Sequence, residues 1–262
     1  MEAWWIVAIK IGALESGNFI LRVSNTLGLF WYQSLAKYSC YNSAVTKTPF
    51  AILHATRASL EPVNQYYAAN APELDLYNLL DDGLMRYLDA NDMSRATRRF
   101  LAMLEVARDE YGAKMAMLTC SAVPASTMEE LRGWDPAFPV IKIDEPMAKM
   151  AVAQGSRIAI MATFPATIAT TQALLEAAGA KAVHSICVRE ALQALFDGDP
   201  AQHNRLIHKA CADLVSRAPT DVLVLAQVSM AHLVDEVRAS VRLPVFGSLD
   251  TSLAAVKSAL FS

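Results

Sequence analysis

Cys120 is the residue whose type and position best fit a chemical role. It follows an apolar stretch, residues 115–118, that is typical of a buried strand, and it precedes a capping-box pattern at residues 126–129 that predicts a helix. The positive end of a helix favours a thiolate, which is the reactive form of cysteine. We therefore expect Cys120 to have a lowered pKa and to act as a nucleophile or as a proton donor and acceptor. The alternative is a small buried residue with only a packing role.

The pattern around Cys120 recurs in the second half of the chain. A similar apolar stretch, residues 222–225, comes shortly before Gln227, and an offset of 107 residues aligns Cys120 with Gln227. Thr56 falls on Thr163 at the same separation. We infer two similar halves that face one another, with a thiol on one side and an amide on the other.

Small hydroxyl side chains occur at four loops that precede predicted helices, namely Thr56, Ser121, Thr163 and Ser229. Each of them fits an ordinary helix cap. Together with the free N–H groups of helix starts, they also fit a substrate-binding site for an anion, without a metal. Arg57 is the strong cation of the first loop. We expect it to bind a substrate carboxylate or, alternatively, to be a solvated charge or to form an ion pair with Glu61.

Other ionisable residues have weaker functional interpretations. Glu145 and Asp144 begin a predicted helix, where each fits either a general acid or base or a favourable charge at the helix start. Cys187 falls within a predicted strand and Cys211 within a predicted helix, so both are expected to pack. His54 ends a predicted strand, and we expect it in the core or in a cavity wall.

Strands that alternate with helices predict an α/β fold, with parallel sheets flanked by helices. The repeat divides this fold into two pseudo-symmetric lobes, residues 48–155 with Cys120 and residues 156–262 with Gln227. Ligands of such sheets bind beyond the carboxyl ends of the strands, so we expect an active-site cleft between the lobes. Residues 1–47 have no counterpart in the second half. They are expected to be a poorly ordered extension or, alternatively, a segment for an interface or a homo-oligomer.

Composition and motifs argue against several classes of protein. The 262-residue chain has a net charge of −3 with scattered Lys and Arg, which does not favour a nucleic-acid partner. Its four cysteines have neither metal nor disulfide spacing, so we expect a cytoplasmic protein without a metal site. No apolar run in the sequence reaches the roughly 18–20 residues of a membrane span. The sequence motifs of zinc proteases, dinucleotide enzymes, P-loop proteins and α/β-hydrolases are missing.

Several segments carry a resemblance to a known family: residues 54–62, 118–122, 142–147, 162–167 and 225–229. Over residues 49–260 the chain resembles the aspartate/glutamate/hydantoin racemase superfamily. The resemblance implies two α/β lobes around a cleft and chemistry without a cofactor or metal. In the racemases of this superfamily one cysteine follows each central strand. One thiolate takes the α-proton, and the other thiol returns a proton on the opposite face.

This sequence departs from that pattern at the second cysteine, where it has Gln227, whose amide cannot give or take a proton at neutral pH. We expect a cofactor-independent isomerase of the racemase type. It would act at the carbon next to a carboxylate of an amino acid or related dicarboxylate, with Cys120 as proton donor and acceptor. Gln227 would donate a hydrogen bond to a substrate oxygen. The alternatives are a single-cysteine decarboxylase, similar to arylmalonate decarboxylase, and a non-catalytic protein that binds a small anion. A cysteine hydrolase ranks last, because it would need a histidine base near Cys120 and only His54 falls close to a cleft loop.

Overall fold

The computed structural model describes residues 47–262 in full and, before them, only the backbone of four short strands. These strands are β1 (Ile11–Ala13), β2 (Phe19–Leu21), β3 (Ser24–Asn25) and β4 (Gly28–Leu29). β1 pairs with β2 and β3 with β4, both antiparallel. Residues 1–45 form one unit and residues 46–262 another. The prediction of a poorly ordered extension concerns residues that otherwise lie outside the described part of the chain.

The first half of the larger unit is built on a four-stranded parallel sheet. Its strands are β5 (Thr48–His54), β6 (Leu74–Leu80), β7 (Ala116–Leu118) and β8 (Val140–Lys142). Its helices are α1 (Arg57–Asn70), α2 (Leu84–Asp89), α3 (Met93–Glu105) with a π-helical turn (Val106–Glu110), α4 (Ala125–Trp134) and α5 (Glu145–Gln154). The strands lie in the order β6-β5-β7-β8. The central strands β5 and β7 are almost wholly apolar and buried, as expected for strands covered by helices on both faces.

The second half repeats this arrangement with the same strand order. Its strands are β9 (Arg157–Ala162), β10 (Ala182–Cys187), β11 (Val222–Leu225) and β12 (Val245–Phe246). Its helices are α6 (Pro165–Ala178), α7 (Arg189–Phe196), α8 (Pro200–Arg217), a 3-10 helix (Val228–Leu233), α9 (Val234–Val241) and α10 (Ser248–Phe261). The parallel strands lie in the order β10-β9-β11-β12. The α/β fold with two parallel sheets that was predicted from the sequence is therefore confirmed.

The last helix of each half packs against the sheet of the other half. Leu249 and Leu253 of α10 pack with Phe50 of β5, in the core of the first sheet. In the same way, Met147 of α5 packs with Ile158 of β9 in the core of the second sheet. The predicted lobe boundary after residue 155 thus separates the two sheets, but α5 covers the sheet of the second half. The exchange ties the two halves together.

Two buried or half-buried hydrogen bonds add to this connection. The hydroxyl of Tyr67 on α1 donates to the hydroxyl of Ser252 on α10 over 2.9 Å. The hydroxyl of Thr170 on α6 donates to the backbone oxygen of Ser121 over 2.5 Å. The second bond holds the turn that carries Cys120 against a helix of the other half.

Local sequence signals explain where several helices begin and end. α1 starts after Thr56, whose side chain accepts a hydrogen bond from the backbone of Ala58. α6 ends at Gly179, whose φ of 110° lies in the left-handed region that glycine adopts most readily. In the described part of the chain no helix, including the 18-residue α8, is both long and apolar enough to cross a membrane.

Candidate active site

A cavity of about 520 Å³ lies beyond the carboxyl ends of both sheets. It receives loops that follow β5, β7, β9 and β11, and its volume is within the usual range for small-molecule sites. Six of the residues predicted from the sequence line it together: Thr56, Cys120, Ser121, Thr163, Gln227 and Ser229. The cavity therefore brings both halves of the repeat to one site.

Cys120 lies on the cavity wall, in the turn between β7 and α4, and is only 8% exposed. Burial is the main influence on its thiol and raises the pKa to about 11, although the backbone amides of Ala122 and Val123 act in the opposite direction. The expected lowering of this pKa is therefore wrong. α4 begins only at Ala125, without a side-chain cap, and its end does not outweigh the loss of water around the sulfur. At neutral pH Cys120 is a thiol that can donate a proton.

Gln227 is held in one orientation by Thr163. Its side-chain oxygen accepts two hydrogen bonds, from the backbone N–H of Thr163 over 2.6 Å and from the Thr163 hydroxyl over 2.9 Å. A backbone N–H can only donate, so the atom that faces it must be the amide oxygen. The NH₂ group of Gln227 is consequently directed away from Thr163, and Gln227 itself lines the cavity. The site therefore offers an amide donor where the repeat would place a second thiol.

Hydroxyl groups supply further polar contacts on the cavity wall. The Ser229 hydroxyl is buried and has no hydrogen-bond partner within the described residues. Thr56 caps α1, so its oxygen is already an acceptor for Ala58. A buried hydroxyl without a partner is costly, which makes Ser229 the hydroxyl here that gains most from a ligand.

Arg57 does not take the predicted position. Its guanidinium pairs with Asp82 at 3.0 Å, and its side chain is 81% exposed. It lines a neighbouring cavity of about 690 Å³ rather than the one that contains Cys120. The structure therefore does not bring Arg57 to the cavity that contains Cys120. The charge is solvated, as one of the alternatives for Arg57 expected, and it pairs with Asp82 rather than with Glu61.

Glu145 is also placed away from the cavity. Its carboxylate accepts a hydrogen bond from Arg132 over 2.6 Å and another from the backbone of Lys142 over 3.2 Å. Both contacts join α5 to neighbouring elements. The structure does not bring Glu145 to the cavity, and its contacts agree with the alternative of a favourable charge at a helix start.

Two arginines that the sequence analysis did not select lie at the cavity mouth. Arg86 belongs to α2 and Arg189 to α7, which occupy corresponding places in the two halves. Both are exposed, and neither makes an ion pair or side-chain hydrogen bond with another described residue. Asp89 lies at the same mouth. The repeat was the signal that could have identified these cations, because α2 and α7 each follow the second strand of their half.

A hydrogen-bond network lies behind the cavity wall. His54 is fully buried, as expected for the core or wall, and contacts Ser59 through Nδ1 at 2.9 Å and Asn78 through Nε2 at 3.0 Å. Ser59 contacts Thr119 at 3.1 Å, and both of these residues line the cavity. Burial lowers the pKa of His54. The network fixes the wall next to Cys120.

Within the residues that the structure describes, no three His, Cys, Asp or Glu side chains are grouped so that they could hold a metal ion.

Solved structures share this fold at low sequence identity. Allantoin racemase from Klebsiella pneumoniae is 20% identical, with a TM-score of 0.61 over 81% of this chain and 87% of its own. Glutamate racemase from Francisella tularensis, in complex with D-glutamate, is 14% identical, with a TM-score of 0.64 over 82% of each chain. Unliganded arylmalonate decarboxylase is 16% identical, with a TM-score of 0.51 over 82% of this chain and 94% of its own. At these identities the likeness is one of fold.

The sequence also matches a family directly. A comparison with curated proteins found no match. The family described as Asp/Glu/Hydantoin racemase matches residues 49–259, a span that includes Cys120, Gln227 and the rest of the cavity wall. This match agrees with the resemblance in the five segments around the site. The chain therefore belongs to the Asp/Glu/Hydantoin racemase family.

Proposed function

We propose that this protein is a cofactor-independent enzyme of the isomerase type that transfers a proton at the carbon next to a carboxylate. The substrate would be an amino acid or a related dicarboxylate, and Cys120 would be the proton donor and acceptor. The observation that supports this most is the position of Cys120, a buried thiol on the wall of a cavity shared by two sheets. Family membership supports the same class of reaction.

In the proposed isomerisation the thiolate form of Cys120 takes the proton from the substrate carbon, so that a C–H bond breaks, an S–H bond forms and the electron pair stays on the substrate as an enediolate. Water then donates a proton to the other face of that carbon, and Cys120 gives its proton to the hydroxide that remains. The backbone amides of Ala122 and Val123 favour the thiolate, since both lower the pKa of Cys120. In the reverse direction Cys120 donates its proton to the enediolate. One thiol serves one face of the substrate.

Gln227 would stabilise the substrate oxygen rather than move a proton. With its oxygen held by Thr163, its NH₂ group can donate to a carboxylate or enediolate oxygen, where charge develops. A hydrogen bond to a charged group contributes about 1.5–3 kcal/mol. Gln227→Leu is therefore expected to weaken binding or turnover roughly 10- to 150-fold. Ser121 and the unpartnered Ser229 would complete the site for the anion, while Thr56 and Thr163 position their neighbours.

The arginines at the cavity mouth support a substrate with a second anionic group. Arg86 and Arg189 have no ion-pair partner within the described residues, and arginine suits carboxylate recognition. A dicarboxylate could place its reacting end near Cys120 and its other end between these two cations. The roles of Arg86 and Arg189 thus replace the role first expected of Arg57.

A single-cysteine decarboxylase is the second candidate. In that reaction a C–C bond breaks, CO₂ leaves, and the electron pair that remains on the enediolate takes the proton of Cys120. The raised pKa of the thiol favours this version, because the resting cysteine is an acid and Gln227 supplies no base on the opposite face. Both versions use the same thiol, which only donates a proton in the decarboxylation and both takes and donates one in the isomerisation.

The proposal is tested by incubating the protein in D₂O with a panel of amino acids, dicarboxylates and 2-substituted malonates. NMR would detect deuterium at the carbon next to the carboxylate, and chiral chromatography would give the configuration of that carbon. A measurement of released CO₂ would detect any decarboxylation. The wild type should act on at least one compound, Cys120→Ala on none, and Cys187→Ala, outside the cavity, like the wild type. No incorporation or CO₂ release with any compound would favour a non-catalytic binder, and equal activity in Cys120→Ala would mean that another group transfers the proton. Either result would overturn the proposal.

We also propose a cytoplasmic location and no nucleic-acid partner. The support comes from the free state of Cys120, Cys187 and Cys211 and from the scattered charge of the sequence. Measuring the protein's distribution after cell fractionation would test the location.

A further inference from the structure

A buried ion pair lies beside Cys120 and is not used in the proposed reaction. β8 runs parallel to β7, with Lys142 opposite Leu118, and the backbone of Ile143 donates to the oxygen of Leu118 over 2.9 Å. Two residues further along each chain are Asp144 and Cys120. Residues that lie opposite each other in a parallel sheet share a face, so Lys142 lies on the face of Leu118, which packs in the same core as Cys120. Asp144 comes after the end of β8 and is joined to Lys142 by the ion pair.

The pair is deeply buried, and stability alone does not account for it. Asp144 is 0% exposed and Lys142 is 4% exposed, with 3.4 Å between the ammonium nitrogen and a carboxylate oxygen. Neither carboxylate oxygen of Asp144 has a hydrogen-bond partner within the described residues. A buried pair with such sparse hydrogen bonding is often no more stabilising than apolar side chains of the same volume. A functional role would explain why these charges are retained inside the sheet.

The two charges act on Cys120 in opposite directions. Lys142 lowers the pKa of the thiol, and Asp144 raises it. Burial raises the pKa of Asp144 itself, and the neighbouring Glu145 adds to this. The other charged groups that line the cavity are exposed, namely Arg86, Asp89 and Arg189. The buried, titratable His54 contacts Thr119, the residue before Cys120, at 3.3 Å.

We propose that Lys142 and Asp144 are positioning residues that act through Cys120 and set the balance between its thiol and thiolate forms. While Cys120 holds its proton, the pair is neutral and Asp144 disfavours the thiolate. When the proton has moved to the substrate carbon, the ammonium group of Lys142 offsets the charge left on the sulfur. The thiolate then regains a proton from water after decarboxylation or, in an isomerisation, from the carbon of the next substrate molecule. The catalytic meaning rests on the proposed function, whereas the effect on the thiol does not.

The test measures how fast iodoacetamide alkylates Cys120 as a function of pH, with mass spectrometry of the peptide that contains it. Asp144→Asn should lower the midpoint of the profile by about one pH unit and speed the reaction roughly tenfold below the midpoint. Lys142→Met should raise the midpoint and slow the reaction by a similar factor. Glu145→Gln is the matched control, since it removes an adjacent carboxylate that already pairs with Arg132, and it should change the rate less than about twofold.

The double variant Lys142→Met/Asp144→Asn separates an electrostatic effect from a structural one. It removes both charges and should return the midpoint close to that of the wild type. The proposal is overturned if both single variants shift the midpoint in the same direction, or if neither exceeds Glu145→Gln. Because the assay needs no substrate, a shifted profile without any deuterium incorporation would refute the proposed function and leave this inference standing. Turnover together with an unshifted profile would refute this inference and leave the proposed function standing.

Discussion

Replacing Tyr67 by Phe tests the exchange of helices that holds the two halves together. The change deletes the hydroxyl that joins α1 to α10 through Ser252 at 2.9 Å, within a fully buried contact. A hydrogen bond of this kind contributes about 0.5–1.5 kcal/mol net. For a domain of this size each kcal/mol shifts the melting temperature by roughly 2–4 °C. We therefore expect Tyr67→Phe to lower it by about 1–6 °C.

A double-mutant cycle assigns the loss to the bond itself. Ser252→Ala should cost more than Tyr67→Phe, because it also removes the bond from Ser252 to the backbone of Leu249 and leaves the tyrosine hydroxyl with only a sulfur contact. The coupling between the two changes should be about 0.5–1.5 kcal/mol by urea denaturation. Tyr66→Phe is the matched control, since its hydroxyl makes no hydrogen bond with the residues that the structure describes. If the two changes were additive, or if Tyr67→Phe were as mild as Tyr66→Phe, the reasoning would be refuted.

Three further predictions concern the site and its support. Burial lowers the pKa of His54 below its ordinary 6.5, so the folded state disfavours the extra proton. The free energy of unfolding, measured by denaturation at several pH values, should therefore fall as the pH drops below about 6.5. This fall should be less steep in His54→Gln. Gly155→Ala should cost about 1–3 kcal/mol in the same assay, because its new Cβ would overlap the side chain of Asp221; a neutral change would contradict this. Thr163→Val removes one of two bonds to Gln227 and should cost about 0.5–1.5 kcal/mol, with a smaller loss of turnover than Gln227→Leu; an equal or larger loss would argue against a positioning role.

The position of the cavity could be predicted because its signals are local. A short apolar strand followed by polar turn residues appears at Cys120 and again at Gln227, and each pattern needs only about ten neighbouring residues. In a parallel sheet, the residues after the strands must meet at one edge. The repeat then predicted that two such edges would contribute to one site, which the cavity bears out.

The directions of charged side chains could not be predicted in this way. Arg57 pairs with Asp82, which is distant in sequence and lies beyond the neighbouring strand, whereas the sequence pointed only to the nearby Glu61. Glu145 likewise pairs with Arg132 from another helix. A long charged side chain can take many rotamers, and its partner depends on which elements become neighbours in the fold.

The predicted lowering of the Cys120 pKa was wrong for a related reason. The sequence shows that a helix follows the thiol, but not that the turn delays its start to Ala125 or that the sulfur is almost completely buried. Burial is a property of the packed structure, and here it dominates the pKa. The helix exchange that completes each core was hidden for the same reason, since α5 and α10 carry no sequence signal of the sheet they will cover.

The most direct test of the account is whether the deuterium that the wild type introduces during turnover in D₂O depends on Cys120. Because Cys120 is the proposed proton-transferring group, Cys120→Ala should abolish the incorporation of deuterium, whereas Gln227→Leu should retain it at a lower rate. Incorporation that persists in Cys120→Ala, or that Gln227→Leu also abolishes, would contradict the account.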